Sequence, residues 1–472
     1  MHIAKSILKN FVTLFTAEFV TRLLHLLTVV YIARVLGVSL FGQINFVLAI
    51  LSYFLISTNL GLNELGVREI ARDKKHVPLF ATSITFMRMV LACFSLLLIS
   101  VLIIFMDKSP QTKTLLFIYG LTLFPYAFSL EWIFRGIERM EFIAVSKIAG
   151  ALLYVSLIFL IVKNSAHLLR IGYITLGADL LSAIILLYIY YNFFSIKIEK
   201  IDLRYCASLL KMSLPICISS GLLVIYFNIA TVILGLMKGD TAAGIYSAAY
   251  RLIMVFYTII SLFISALFPV ISRYYKQSLA SLEKIMSYSA KFILIVAVPV
   301  TILGVMLAGS IINIVYGKAY TDSVPVFSLL MWFMLVNSVS FILSYSLVGC
   351  DRQNTYLWIL FFAAAVNLFL NFLLIPAWGS LGAAASLVVT EMVILISSVI
   401  VLNTFIKLPI MKFILKPVLA SFAMLIFLYF FRQGNLFIAI VSSVVIYLAV
   451  LFVIKGTSKK EIDYFRGALF GR

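Results

Sequence analysis

Long uninterrupted apolar runs recur along the whole chain, and they constrain its fold more than any other feature. A bilayer's hydrocarbon core is about 30 Å thick, so a helix needs about 20 apolar residues to cross it. Barrel strands alternate over about ten residues instead, which makes a porin-type barrel a poor fit. The runs therefore predict an all-α polytopic membrane protein with fourteen spans, at about 11–34, 40–62, 80–106, 113–134, 141–162, 168–194, 213–237, 242–272, 290–316, 322–349, 355–376, 380–404, 413–431 and 436–454.

The basic residues are distributed unevenly between the two sides of these spans. The chain of 472 residues carries 37 Lys and Arg, and its net charge is +19. With a cytoplasmic N-terminus, 25 of the 37 lie in the tails and cytoplasmic loops, and 6 lie in the opposite loops. Since cytoplasmic loops are enriched in Lys and Arg, this distribution predicts that both termini are cytoplasmic. It also explains most of the basicity without a nucleic-acid partner.

A weak internal repeat divides the chain. SILK at 6–9 precedes the first span and SLLK at 208–211 precedes the seventh, and Gly42 and Gly244 share the same spacing of 202 residues. Parallel repeats of this kind place a binding site between them. The repeat predicts two six-helix lobes around a central cavity, an N-terminal lobe at 1–200 and a C-terminal lobe at 201–405, with two extra helices and a cytoplasmic tail at 406–472.

The stretch EFVTRLLH places three ionisable residues inside the first span. Glu18, Arg22 and His25 are spaced i, i+4 and i+7, so they share one helix face. Glu18 and Arg22 have the spacing of an ion pair within a helix, which would offset part of the cost of charge in a bilayer. This pattern favours an arginine that faces an aqueous cavity and is braced by its glutamate. The alternative is a structural pair packed against other helices, and His25 is more typical of packing.

Other ionisable residues lie within the spans. Arg88 and Arg251 either face the same cavity or extend toward the interface by snorkelling. Asp179 and Glu391 are carboxylates well inside apolar sequence, which is the chemistry of an ion-coupling site, or else of a protonated acid bonded to a neighbouring helix. Snorkelling explains Arg34, Lys147 and Arg170, and hydrogen bonds between helices explain Asn228, Asn337, Asn367 and Asn371.

The sequence contains no nucleotide-binding glycine loop, no metal cluster and no set of nucleophile, base and acid. Its four cysteines lack the spacing of metal ligands. No cofactor is therefore expected. Transport would be driven by an ion gradient of H+ or Na+, by the membrane potential, or by the substrate's own gradient.

Four stretches carry a resemblance to a known family: ARVLGVSLFGQINFVLAI at 33–50, GLNELGVREIAR at 61–72, GDTAAGIYSAAYRL at 239–252 and NLFLNFLLIPAWGSLGAAAS at 367–386. The chain resembles the Wzx-type polysaccharide-biosynthesis flippases of the multidrug/oligosaccharidyl-lipid/polysaccharide exporter superfamily. The resemblance implies two six-helix lobes that alternate access to a central cavity. It implies a substrate of undecaprenyl-pyrophosphate-linked oligosaccharide, an O-antigen or other surface polysaccharide unit, moved to the outer leaflet of the bacterial inner membrane.

The resemblance also implies a cationic cavity. Arg22, Arg88 and Arg251, with Glu18 as a brace, are the residues here that would supply it, and a polysaccharide polymerase and a chain-length regulator would be partners. One departure is Asn228, where many relatives carry an acid. Two other functions stay open. A cation-coupled drug or metabolite antiporter is disfavoured because a cationic cavity repels cationic drugs, and a membrane glycan polymerase is disfavoured because the outside loops are short.

Overall fold

Helices make up almost all of the computed structural model, which describes residues 2–194, 199–406, 408, 410–431 and 436–456. No strand occurs among these residues. Twelve stretches are long and apolar enough to span a membrane, and the first of them, Val20–Arg72, contains two spans divided at Gly37. With the shorter apolar helix Ile438–Val453, the described residues hold the fourteen predicted spans. The predicted cytoplasmic tail beyond residue 456 and the linker residues 195–198 lie outside the described residues.

The chain forms two compact units, and the first comprises residues 1–235 and 239–244. Its division from the second unit falls after the seventh span, whereas the predicted lobes divide before that span. The six-helix lobes are defined by the sequence repeat, and they stay a prediction. The helices that lie entirely or mostly in this unit are α1 His2–Asn59, α2 Leu62–Arg72, α3 Val77–Phe105, α4 Pro110–Leu121, α5 Leu123–Phe128, α6 Glu131–Gly136, α7 Met140–Ile161, α8 Leu168–Phe194 and α9 Leu203–Met237.

The second unit comprises residues 236–238 and 245–472. Its last two helices pack on the helix Leu279–Met306, where the Tyr447 hydroxyl donates a hydrogen bond of 2.7 Å to the carbonyl of Ile295. Ala420, Met424 and Leu428 are buried in the same contact. The helices of this unit are α10 Asp240–Gln277, α11 Leu279–Met306, α12 Ala308–Tyr316, α13 Ser323–Gly349, α14 Gln353–Trp378, α15 Ser380–Leu402, α16 Ile410–Phe431 and α17 Leu436–Val453.

The fourth span is not one helix but three short ones, α4, α5 and α6. The last break lies at Ser129 and Leu130, between α5 and α6. At such a break the carbonyls that end one helix and the N–H groups that begin the next have no partners within their own helix. Trp132 just after the break is 2% exposed and packs against Gly66 of α2, where a Cβ atom would come within 2.4 Å of the indole ring. A broken helix is tolerated in a membrane where its backbone is buried in protein or lines a cavity.

The internal repeat is visible in the backbone of the first unit. Gly37 and Gly239 are 202 residues apart, and both have positive φ angles, of 75° and 85°. A Cβ atom on Gly42 would lie 1.8 Å from the carbonyl oxygen of Asp240, and one on Gly244 would lie 2.1 Å from that of Val38. Val38 and Asp240 are also 202 residues apart. Gly42 of the first repeat therefore meets Asp240 of the second, and the equivalent glycine, Gly244, meets the equivalent residue, Val38. The two repeats therefore meet in a reciprocal backbone contact between the start of α1's second span and the first turns of α10.

Candidate functional site

The face of α1 that carries Glu18 and Arg22 lies against α7. The Arg22 Nε atom is 3.5 Å from the Glu18 Oε2 atom, which is the ion pair that the i, i+4 spacing predicts. One and two turns beyond, the His25 ring lies 5.4 Å from the Tyr154 ring, and the Tyr31 hydroxyl donates to the carbonyl of Val162 at 2.8 Å. Two successive contacts, to Tyr154 and to the C-cap residue Val162, therefore hold this face of α1 along α7.

Lys147 of α7 joins two carboxylates on different helices. Its Nζ atom lies 2.7 Å from Glu18 Oε1 on α1 and 2.8 Å from Glu131 Oε1, the first residue of α6. The sequence reading placed Lys147 at a span end with its amine extended toward the interface, and this was wrong, because the amine is held between two acids. The group Glu18, Arg22, Glu131 and Lys147 is called the ionic bridge below.

Small residues next to Lys147 on α7 bring this helix close to α8. Ser146 donates to the Ser182 carbonyl of α8 at 2.8 Å, and Ser182 donates back to the Ser146 carbonyl at 3.2 Å. A Cβ atom on Gly150 would lie 2.1 Å from the Ser182 Oγ atom, so α7 and α8 approach closely. Since this face of α7 is occupied by α8, the adjacent Lys147 side chain points along the α1 side.

The ionic bridge is open to its surroundings. The exposed fraction of the side chain is 57% for Arg22, 36% for Glu18, 30% for Lys147 and 28% for Glu131. A guanidinium offers a planar set of donors that stays charged when partly desolvated, and it suits phosphate and carboxylate oxygens. The bridge can therefore receive an anionic group from outside the protein.

Arg88 differs from this group because it is fully buried. It is 0% exposed, and its guanidinium donates to the carbonyl of Ser129 at 3.0 Å and to that of Tyr126, at the end of α5. The guanidinium also lies 4.7 Å from the centre of the Tyr126 ring. Arg88 therefore satisfies carbonyls that the break in the fourth span would leave unpaired. This buried geometry does not support the cavity position that was predicted for Arg88 from the sequence.

Replacing Arg88 by leucine should destabilise the fold. Both carbonyls would lose a charged donor inside the protein, which corresponds to a loss of about 2–5 kcal/mol in the free energy of unfolding. Thermal unfolding of the purified protein measures the effect. Arg139→Leu is the matched control, because Arg139 pairs with Glu141 at 2.8 Å but is 50% exposed, and exposed pairs contribute little. Equal midpoints for Arg88→Leu and Arg139→Leu would contradict this role.

In the second unit, Arg251 lies on α10 among buried tyrosines. It is half-buried and close enough to Tyr250 and Tyr316 to interact electrostatically with both phenols. The Tyr250 hydroxyl is buried and has no hydrogen-bond partner in the described part of the chain. The sequence reading gave Arg251 a cavity role, and that role stays a prediction.

The two carboxylates that were predicted to couple ions lie in different surroundings. Glu391 on α15 is 2% exposed and interacts electrostatically with Tyr257 and Tyr356. Asp179 on α8 is instead exposed on the surface of the first unit, and no described residue forms an ion pair or hydrogen bond with it. Their coupling role stays a prediction. The structure does not bring Asp179 together with the ionic bridge.

The predicted asparagine contacts are partly as expected. Asn367 of α14 donates to the Thr390 hydroxyl of α15 at 3.1 Å, which is a hydrogen bond between helices. Asn371 instead donates to Asn367, one turn away on its own helix, through the carbonyl at 2.8 Å and the side-chain oxygen at 2.9 Å. Asn228 donates to the carbonyl of Val224, also on its own helix, at 3.1 Å.

A second charged contact, which the sequence reading missed, lies beside the reciprocal glycine contact. The Lys108 Nζ atom lies 2.6 Å from Asp240 Oδ1 and donates to the carbonyl of Gly235 at 2.6 Å. It also lies 4.8 Å from the centre of the Phe46 ring. The side chains of Lys108 and Asp240 are only 10% and 16% exposed. No local sequence pattern links Lys108 to a residue 132 positions away.

Comparisons with known proteins agree with this fold. Residues 7–275 match the family model described as Polysaccharide biosynthesis protein, and residues 215–373 match the MatE model. A protein of Escherichia coli (strain K12) named "Putative O-antigen transporter" is 23% identical over 396 residues, which cover 82% of this chain and 94% of that protein. The capsular polysaccharide biosynthesis protein CapF of Staphylococcus aureus is 23% identical over 401 residues, which cover 82% of this chain and 97% of that protein.

Solved structures share the architecture. The lipid II flippase MurJ in an inward closed conformation superposes with a TM-score of 0.79 at 16% identity, covering 94% of this chain and 99% of that chain. An inward-facing multidrug resistance transporter of the MATE family gives a TM-score of 0.66 at 16% identity, covering 82% of this chain and 95% of that chain. At these identities the likeness shows a shared fold.

The fold and these relatives define a multi-pass membrane transporter rather than an enzyme. Because the first family model covers more than half of its length, the chain belongs to the polysaccharide biosynthesis protein family. The resemblance to Wzx-type members of the exporter superfamily is thereby confirmed.

Proposed function

We propose that this protein is a flippase for undecaprenyl-pyrophosphate-linked oligosaccharide, an O-antigen or another surface polysaccharide unit. It would move this lipid from the cytoplasmic to the outer leaflet of the bacterial inner membrane. The names of the relatives, an O-antigen transporter and a capsular polysaccharide biosynthesis protein, support the substrate class. The observation that carries the proposal is Arg22, a cation in the middle of the first span with more than half of its side chain open.

The chemistry of this substrate matches that site. A diphosphate and a chain of sugars must cross hydrocarbon while the polyprenyl tail stays in lipid. Arginine stays charged on desolvation and binds phosphate oxygens with two parallel hydrogen bonds, so Arg22 is suited to hold the diphosphate. Arg251 is the corresponding candidate in the second unit. Asp179 and Glu391 are the candidates for coupling to H+ or Na+.

Transport would proceed by alternating access. With both termini in the cytoplasm, the buried pair Lys108–Asp240 and the Gly42–Gly244 contact lie at the outer side of the membrane. Their close packing is what a closed outer gate requires. A polysaccharide polymerase and a chain-length regulator would act on the glycan after it reaches the outer leaflet.

A drug antiporter is the second candidate, because residues 215–373 match the MatE model. The exposed Arg22 disfavours it, since cationic drugs would be repelled. Efflux assays in a drug-sensitised strain separate the two functions, and we expect no gain in resistance.

The direct test is complementation of bacteria that lack a defined glycan flippase. We expect the chain to restore surface polysaccharide in a strain whose glycan it recognises, and to reduce the lipid-linked intermediate that accumulates in the inner leaflet. The measurement is extraction and quantification of that intermediate beside surface staining of the glycan. Persistent accumulation in every strain of a panel, together with normal insertion of the protein, would contradict the proposal.

A further inference from the structure

The ionic bridge has no spare positive charge. Arg22 and Lys147 supply two cations, and Glu18 and Glu131 supply two anions, so the charges of these four side chains cancel. A diphosphate that approaches Arg22 meets a cation whose counter-ion is already in place. An anion that contacts both cations at once therefore competes with the carboxylates that already lie against them.

Glu18 contacts both cations at once. Its Oε1 atom lies 2.7 Å from Lys147 Nζ on α7, and its Oε2 atom lies 3.5 Å from Arg22 Nε on α1. Two oxygens on one phosphorus atom are arranged like the two oxygens of this carboxylate, and they are strong acceptors for both lysine and arginine. Glu18 thus occupies the position that a phosphoryl group would take between the two helices.

The ionic bridge is more exposed than Arg88 and Lys108, the two buried cations of the same unit. Arg88 is 0% exposed and donates to backbone carbonyls, and Lys108 is 10% exposed and lies under a ring. By contrast, the exposed fraction of the side chain is 30% for Lys147 and 36% for Glu18. The side chains of the bridge are therefore accessible from outside the protein, whereas those of Arg88 and Lys108 are not.

Resting on the flippase function proposed above, we propose that Lys147 is a second cation of the diphosphate site, and that Glu18 and Glu131 are its resident counter-ions. In the empty site the carboxylates neutralise the two cations and lower the cost of holding them within the membrane. When the site loads, phosphoryl oxygens replace the Glu18 oxygens on Lys147 and Arg22. Only non-covalent contacts change.

Binding of inorganic pyrophosphate to the purified full-length protein tests this exchange, by calorimetry without divalent metal ions. Lys147→Met should weaken binding by about tenfold or more, because a cation is lost. Glu18→Gln should strengthen binding by about threefold or more, because the competing anion is removed. Glu141→Gln is the matched control, since Glu141 also pairs with a cation, Arg139, at 2.8 Å. We expect that variant to bind like the wild type.

The opposite signs separate exchange from a structural role. If Glu18→Gln weakens binding together with Lys147→Met, the bridge is structural and the inference is overturned. If Lys147→Met is unstable, Lys147→Arg, which keeps the charge, must still bind pyrophosphate. If Arg22→Ala loses binding while Lys147→Met keeps it, the inference fails and the flippase function stands. Absence of binding by the wild type overturns the diphosphate site itself.

Discussion

Arg22→Ala abolishes glycan export while the protein still inserts into the membrane; this is the largest functional effect that we expect from a single substitution. Arg22 lies near the middle of a span, and 57% of its side chain is open. Alanine would remove the planar set of donors that we propose for the diphosphate, and would leave Glu18 with Lys147 as its remaining cation in the ionic bridge. The fold should tolerate the change, because an exposed side chain is removed. Surface polysaccharide and the lipid-linked intermediate are measured in a flippase-deficient strain.

The matched control for Arg22→Ala is Arg34→Ala on the same helix. Arg34 is also exposed, but it lies at the end of the first predicted span, where a long cationic side chain can reach the interface. Export should persist in this variant. Normal export by a well-expressed Arg22→Ala protein would contradict the role of Arg22.

The spans were predictable because their signal is local. The fifth span was expected at 141–162, and the helix is Met140–Ile161. A window of apolar residues determines such an element, and no distant contact is needed. The Glu18–Arg22 pair was predictable for the same reason, since the two residues are one turn apart on one helix.

The partners of Lys147 and Arg88 depend on contacts between helices that are far apart in sequence. Glu18 is 129 residues from Lys147, so position within the span pointed to snorkelling instead. Arg88 is buried because the fourth span breaks at Ser129, and that break is hidden in an apolar run that reads as one helix. The partners of Lys147 and the burial of Arg88 could therefore be found only from the tertiary structure. One residue in the sequence does indicate the break: Glu131 is an acid within the apolar run, and it is the first residue of α6.

A methyl group at position 42 should prevent closure of the gate that we propose for the outer side of the transporter. The Cβ atom of Gly42→Ala would lie 1.8 Å from the carbonyl oxygen of Asp240 and 2.8 Å from the Gly244 nitrogen. Both neighbours are backbone atoms, so no side chain can rotate away and the two repeats must separate. Overpacking of this kind corresponds to about 1–3 kcal/mol in the free energy of unfolding. The separation would also stretch the buried Lys108–Asp240 pair, which lies beside this contact.

The measurement combines export with labelling from outside the cell. Gln43, next to Gly42, is 7% exposed, so a cysteine there should be protected from a membrane-impermeant maleimide in an otherwise cysteine-free protein. Gly42→Ala should expose it and reduce export. Gly177→Ala is the matched control, because no atom lies within 4 Å of the added methyl group and alanine favours a helix over glycine. Unchanged labelling and export in Gly42→Ala would show that the reciprocal glycine contact is packing alone. A gain in labelling with loss of export would instead support the proposed alternating access and connect it to the repeat of 202 residues, because the contact exists only where the two repeats meet.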